Sequence, residues 1–227
     1  MKRPGLHRWR LVVAVGVALG ATALLSGPVA TWLQARDREA APPGRSAEPD
    51  GAWRAVYLVA GARAQGRRID ALEAWVATGG APPPLVLIGN DPQKSFYSRA
   101  HGRNLTRTEW AVEKLAASPV LGAVPREIVP GRFDGTDAEM EALGAYLAER
   151  HELRRLALVT CRFHGRRVLR RFAAHAPEGV AAGLVPGTPH REDRLPWIVT
   201  GELLKLARDR AGLSRAPLLS RPGGEDL

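Results

Sequence analysis

Between residues 55 and 185 the chain alternates short, continuous apolar runs with longer stretches of helical periodicity, and few architectures accept that order. The runs are Ala55-Val56-Tyr57-Leu58-Val59-Ala60, Leu85-Val86-Leu87-Ile88, Glu127-Ile128-Val129, Leu156-Ala157-Leu158-Val159-Thr160 and residues 180–185. A strand covered on both faces reads as an unbroken apolar run, whereas a half-exposed strand alternates. Between the runs, Ile69, Leu72 and Val76 recur at spacings of three and four before Gly79-Gly80, as in an amphipathic helix and its stop. Thr106 or Thr108 is placed to cap a second helix bearing Trp110 and Leu115. Thr136 and Glu139 have the spacing of a capping box at the head of a third, which runs through Tyr146 towards Arg150. Residues 163–175 and 196–210 supply two more helices. Strand–helix alternation at this spacing predicts an α/β domain with a mostly parallel sheet and helices on both faces.

Ahead of this body, residues 11–33 carry no charged side chain, and about 20 apolar residues suffice for a helix to cross a bilayer. Lys2, Arg3, Arg8 and Arg10 precede the run and account for four of the ten net positive charges, while Arg36 is followed by Asp37, Arg38 and Glu39. The positive-inside rule then predicts a cytoplasmic tail at 1–10, a retained single-pass anchor at 11–33 in a bacterial inner membrane, and a body on the periplasmic or extracellular side. A cleaved signal peptide is the rival reading, but no clean small-x-small cleavage site stands out after the run. Residues 34–52, with Pro42, Pro43 and Gly44, read as a linker. Residues 53–212 then make one domain of ordinary size, and 213–227 a loose tail. Cys161 is the only cysteine, which rules out an intrachain disulfide.

In parallel sheets, ligands gather beyond the carboxyl ends of the strands. Three of the runs end in small or polar residues, namely Gly61-Ala62-Arg63, Gly89-Asn90-Asp91 and Thr160-Cys161. The last leads into His164-Gly165-Arg166-Arg167, where a helix beginning near residue 161 or 162 would put His164 and Arg167 on one face and expose amides to an anion. His164 has the intrinsic pKa for proton transfer, and Asp91 and Asp134 are loop carboxylates that can face it. Arg68 and Arg167 are candidate anion ligands. Cys161 at a helix start is a candidate nucleophile, against the commoner case of a small buried thiol. The glycine spacing of a dinucleotide fingerprint and the Gly-Lys-Ser/Thr of a phosphate loop are both missing, which disfavours NAD and ATP in their usual modes. No cofactor and no metal is expected, and neither zinc spacing nor a basic-aromatic alternation points to nucleic acid.

The chain from Ala55 to about Arg210 resembles the domain-of-unknown-function 218 family, the YdcF-, SanA- and ElyC-like bacterial envelope proteins. The resemblance rests on Val56 to Gly61 followed by Arg68, on Ile88-Gly89-Asn90, on Thr108-Glu109-Trp110, on Thr136, and most specifically on Val159-Thr160-Cys161 with His164-Gly165-Arg166-Arg167. Pro196-Trp197 and Glu202 extend it. The chain departs from the family pattern with Asn90 for glycine, Cys161 for serine and Gly165 for methionine. The resemblance implies a three-layer α/β/α Rossmann-like domain linked to peptidoglycan or polysaccharide processes. It implies one pocket of Gly61, Arg68, Gly89, Glu109, Thr136, Thr160, His164 and Arg167. Joined to the strand exits, this gives Gly61, Arg68, Gly89, Asn90, Thr136, Thr160 and Arg167 as the expected ligand-binding residues, and His164 as the expected proton carrier with Asp91 or Glu109 as its orienter or partner.

These features lead to the expectation of a membrane-anchored envelope enzyme, a phosphoryl hydrolase or transferase. Its substrate would be a phosphorylated or other anionic precursor, such as a lipid-linked glycan intermediate, and its partners would include the membrane and envelope-synthesis proteins. The alternative is a non-catalytic metabolite-binding or scaffold protein in envelope biogenesis.

Overall fold

Each apolar run forms a strand whose side chains divide between two faces of one sheet. The computed structural model describes residues 53–60, 65–77, 81–131, 135–161 and 164–185, with Gly201, Leu204, Lys205 and Ala207. Its elements follow in the order β1 (Ala55–Leu58), α1 (Gln65–Ala77), β2 (Val86–Gly89), β3 (Lys94–Ser98), β4 (Arg103–Thr106) and α2 (Arg107–Ala116). Then come β5 (Arg126–Val129), α3 (Thr136–Ala148), β6 (Arg155–Val159), α4 (Gly165–His175) and β7 (Ala181–Val185). Five strands lie in the order β5-β2-β1-β6-β7, every pairing parallel, with Val56 flanked by Val86 and Ala157.

Along β1, Ala55, Tyr57 and Val59 face the same core as Met140, Leu143 and Leu147 of α3 and Val168 and Phe172 of α4. Val56 and Leu58 face the opposite core, with Ile69 and Leu72 of α1 and Ala111 and Leu115 of α2. The result is a three-layer α/β/α sandwich. The chain builds outward from β1 through β2 to β5, then returns to the other side of β1 and continues through β6 to β7. That reversal, between β1 and β6, is where doubly wound sheets open a ligand crevice.

Two local features depart from the sequence reading. Between β2 and α2 the chain inserts the antiparallel hairpin β3–β4, whose strands have only Phe96, Tyr97 and Leu105 as apolar side chains and so no apolar run that would announce them. The hairpin delivers Thr106, which caps α2 in a reciprocal box with Glu109: Glu109 N donates to Thr106 Oγ1 at 3.1 Å and Thr106 N to Glu109 Oε2 at 2.8 Å. The capping box expected of Thr136 and Glu139 does not form. Gly135 takes the N-cap position without a side-chain bond and Thr136 is already helical, so both side chains are released for other partners.

Helices α3 and α4 run side by side, tied where Asp137 Oδ1 accepts from Arg171 Nη1 at 2.9 Å and faces His175 Nε2 at 3.2 Å. Gly144 permits their approach, since a Cβ there would overlap the His175 carbonyl oxygen. By contacts the chain divides into Thr31–His190 and a second unit of Met1–Ala30 with Arg191–Leu227. In the second unit only the four residues from 201 to 207 are described, all helical and within the helix expected at 196–210. No helix among the described residues is long and apolar enough to cross a membrane, and the expected anchor at 11–33, the linker and the tail lie outside them.

Candidate functional site

Arg68 lies one turn into α1, four residues before Leu72, and the burial of Ile69 and Leu72 turns this side of the helix onto the sheet. Its guanidinium is consequently buried, with 5% of the residue exposed. Nη1 donates to the carbonyl of Val59 at the end of β1, and Nη2 reaches Cys161 Sγ at 3.8 Å beyond the end of β6. A single side chain thus spans the switch point. Three buried polar atoms here meet no hydrogen-bond partner among the described residues: Arg68 Nε, Thr160 Oγ1 and Gln65 Oε1. A buried polar atom left without a partner costs about 1–3 kcal/mol, and native interiors rarely leave several.

Glu139, in the first turn of α3, has the spacing of a cap but turns inward instead. Its Oε1 accepts from the Tyr57 hydroxyl at 2.9 Å and from the Ala60 amide just past β1. Burial, above all, lifts its carboxyl to about 7, and the Asp91 charge adds to the rise. The two hydrogen bonds and the Arg68 charge oppose it. Tyr57 is in turn held well above its ordinary value, first by burial and then by the Glu139 charge. The signal available in sequence was position: Glu139 precedes Leu143 and Leu147 by four and eight residues, which places a carboxylate on the apolar face of α3.

The same helical turn carries Thr136 to the head of α4. Arg167 Nη1 donates to Thr136 Oγ1 at 2.9 Å, and Arg167 Nη2 lies 2.7 Å from His164 Nδ1 and 3.1 Å from Nε2. His164 Nε2 is 3.3 Å from Thr136 Oγ1. An arginine only donates, and a neutral imidazole has one accepting nitrogen, so the shorter contact assigns acceptance to Nδ1 and the proton to Nε2. Nε2–H then points to Thr136 Oγ1, which accepts twice and keeps its own hydrogen for a third partner. His164 and Arg167 do share a face, but the helix starts later than expected, with His164 itself at the N-cap and no side-chain cap bond. Within one turn of α3, Thr136 and Glu139 therefore join the His164–Arg167 pair to the Arg68 end of β1.

The β2 exit lies beside these groups, because β2 pairs directly with β1. Thr108 Oγ1 donates to the Gly89 carbonyl at 3.0 Å and accepts from Asp91 N at 2.7 Å, which ties the start of α2 to the strand end; Asn90 stands half-buried between them. Asp91 is buried, with Oδ2 on Arg107 Nη1 at 3.0 Å and Oδ1 on Gln93 N at 3.1 Å. Neither bond leads to His164. Glu109 is turned outward to Arg103, whose two terminal nitrogens donate at 2.9 and 2.8 Å. Arg103, and then the Thr106 amide, hold its carboxyl at about 2, so Glu109 serves as a cap and ion-pair partner and stays ionised. Gly61 and Asp134 lie outside the described residues. Among those described, no three His, Cys, Asp or Glu side chains converge as a metal ion would require.

Comparison of the chain with protein-family models, with curated proteins and with solved structures finds no match.

Proposed function

We propose that the domain is an enzyme acting on a phosphorylated or otherwise anionic substrate bound at the switch point between β1 and β6. The observation that carries this reading is Arg68. A permanently charged guanidinium at 5% exposure, hydrogen-bonded to one carbonyl and one thiol and with an unpartnered Nε, is a donor set prepared for an oxyanion. Arg167 supplies a second cation through the Thr136–His164 cluster, and the Thr160 and Thr136 hydroxyls supply donors. Asp91 is neutralised by Arg107. Glu139, with its carboxyl at about 7, can give or take a proton near neutrality, which makes it a better proton carrier than Glu109. In this reading His164 releases Thr136 Oγ1 when substrate binds and moves its Nε2 proton to the developing oxyanion.

The uncharged run at 11–33 and the sequence resemblance support a place for this chemistry: an inner-membrane tether that holds the domain on the outer side of the membrane, close to a lipid-linked glycan precursor. The expected partners, the membrane and envelope-synthesis proteins, belong to the same proposal. One contact favours the second reading, of a protein that binds such a ligand without turning it over. Arg167 donates into the His164 ring, which suits a fixed hydrogen-bond donor better than a shuttling base.

Phosphate release by the full-length protein in detergent, from a polyprenyl diphosphate and from glucose 1-phosphate, tests the two readings. Turnover in the wild type should fall on the order of 100-fold in His164→Gln, with affinity changed only a few-fold. Equal turnover in both would remove His164 from the chemistry, and binding of both probes without release would establish the second reading.

A further inference from the structure

We infer that the ligand is a phosphate ester carrying a hydroxyl next to the phosphate, and that Gln65 reads this hydroxyl. The inference rests on the anion site proposed above and goes further, to the chemical class of the ligand. Gln65 opens α1, a helix of 13 residues, and lies three positions before Arg68, on the same helix face. It is 4% exposed, an unusual burial for a glutamine, and its Oε1 is without a partner among the described residues.

The unpartnered atoms differ in kind. Arg68 Nε is a donor only, and the Thr160 hydroxyl both donates and accepts, so both suit the oxygens of an anion. Gln65 Oε1 is an acceptor only. A phosphate stripped of protons would set lone pairs against it, so the group that satisfies it must bring a hydrogen. Phosphate therefore belongs beside the donors of Arg68, and the neighbouring Gln65 is left for the neutral part of the ligand. A carbon-borne hydroxyl adjacent to the ester oxygen, as in a sugar 1-phosphate, meets both demands at once. The site thus distinguishes a glycosyl or polyol phosphate from a simple alkyl phosphate.

Binding of glucose 1-phosphate, cyclohexyl phosphate and inorganic phosphate to the full-length protein tests this. The first two share a ring and a phosphate and differ in hydroxyls. The wild type should prefer glucose 1-phosphate to cyclohexyl phosphate by about 10-fold, the usual worth of one satisfied buried acceptor. Gln65→Leu should bring the two within about 3-fold, while Gln65→Glu, which keeps an acceptor, should weaken both yet preserve the preference. Equal binding of both esters by the wild type would overturn the role of Gln65 and leave the anion site standing, as would a preference that survives in Gln65→Leu. Inorganic phosphate matching glucose 1-phosphate at about pH 6 but not at about pH 8 would place the donor on the phosphate itself and overturn the hydroxyl. Binding of none of the three would overturn both this inference and the reading beneath it.

Discussion

Glu139→Gln is expected to stabilise the protein by about 3 kcal/mol at about pH 8 and to change little at about pH 4, as measured by chemical denaturation of both proteins across that range. Burial raises the folded-state carboxyl from 4.5 to about 7. A raised carboxyl means that the folded state holds its proton more tightly than the unfolded chain does. The stabilisation is therefore fully present below the unfolded value and drains away as pH climbs from about 4.5 through about 7, above which folding must bury an ionised carboxylate. Glutamine keeps the oxygen that accepts from Tyr57 and Ala60 but carries no charge, so its contribution is flat with pH. Subtracting the two curves removes Glu127 and Glu152, whose lowered carboxyls act in the opposite direction as pH falls. A difference that does not vary with pH would mean that Glu139 titrates normally. Stabilisation on removing a side chain is what a group retained for chemistry shows, since such sites hold charges that the fold alone would exclude.

Gly144→Ala should have a comparable effect of opposite sign. Alanine in a helix interior is ordinarily better than glycine by about 1 kcal/mol. Here its methyl group would overlap the His175 carbonyl oxygen, and backbone cannot step aside as the end of a flexible side chain would. Prying α3 from α4 costs about 3 kcal/mol on the scale of overpacked cores, so a net loss near 2 kcal/mol is expected. The damage should extend to the site. Thr136 belongs to α3 and Arg167 to α4, and the 2.9 Å bond between them depends on the spacing of the helices. A melting temperature equal to or above that of the wild type would show that the helices have room to separate.

Much of the architecture was legible because continuous apolar runs have few alternatives. The five core strands and the four helices between them follow from Val56, Leu87, Leu158 and their neighbours, and the parallel order brings the exits of β1, β2 and β6 to one edge. What escaped were features set by polar residues whose partners are distant in sequence. The β3–β4 hairpin has Phe96 and Tyr97 half-exposed or more and no apolar period, so nothing local marks it. Arg103 arrives on that hairpin and Arg107 directly after it, and they decide the fates of Glu109 and Asp91, the two carboxylates expected to orient or partner His164. Glu139 has the spacing of a cap, and only the rotation of α3, set by Met140, Leu143 and Leu147, turns it inward to Tyr57. The pairing of His164 with Arg167 was legible from a separation of three residues. That of either with Thr136, about 30 positions away, needed the fold.

The proposed site holds a phosphate group between Arg68 and Arg167 at the β1–β6 switch point. Titration of glucose 1-phosphate into the full-length protein and its Arg167→Ala variant, followed by calorimetry, tests this placement. Arg167 is only half-buried, so alanine is tolerated better there than at buried Arg68, and circular dichroism checks that the variant keeps its fold. Loss of a charge-assisted donor pair predicts an affinity at least about 10-fold and up to about 100-fold weaker in the variant. A wild type that binds no phosphate ester, or an Arg167→Ala variant that binds as tightly as the wild type, would contradict it.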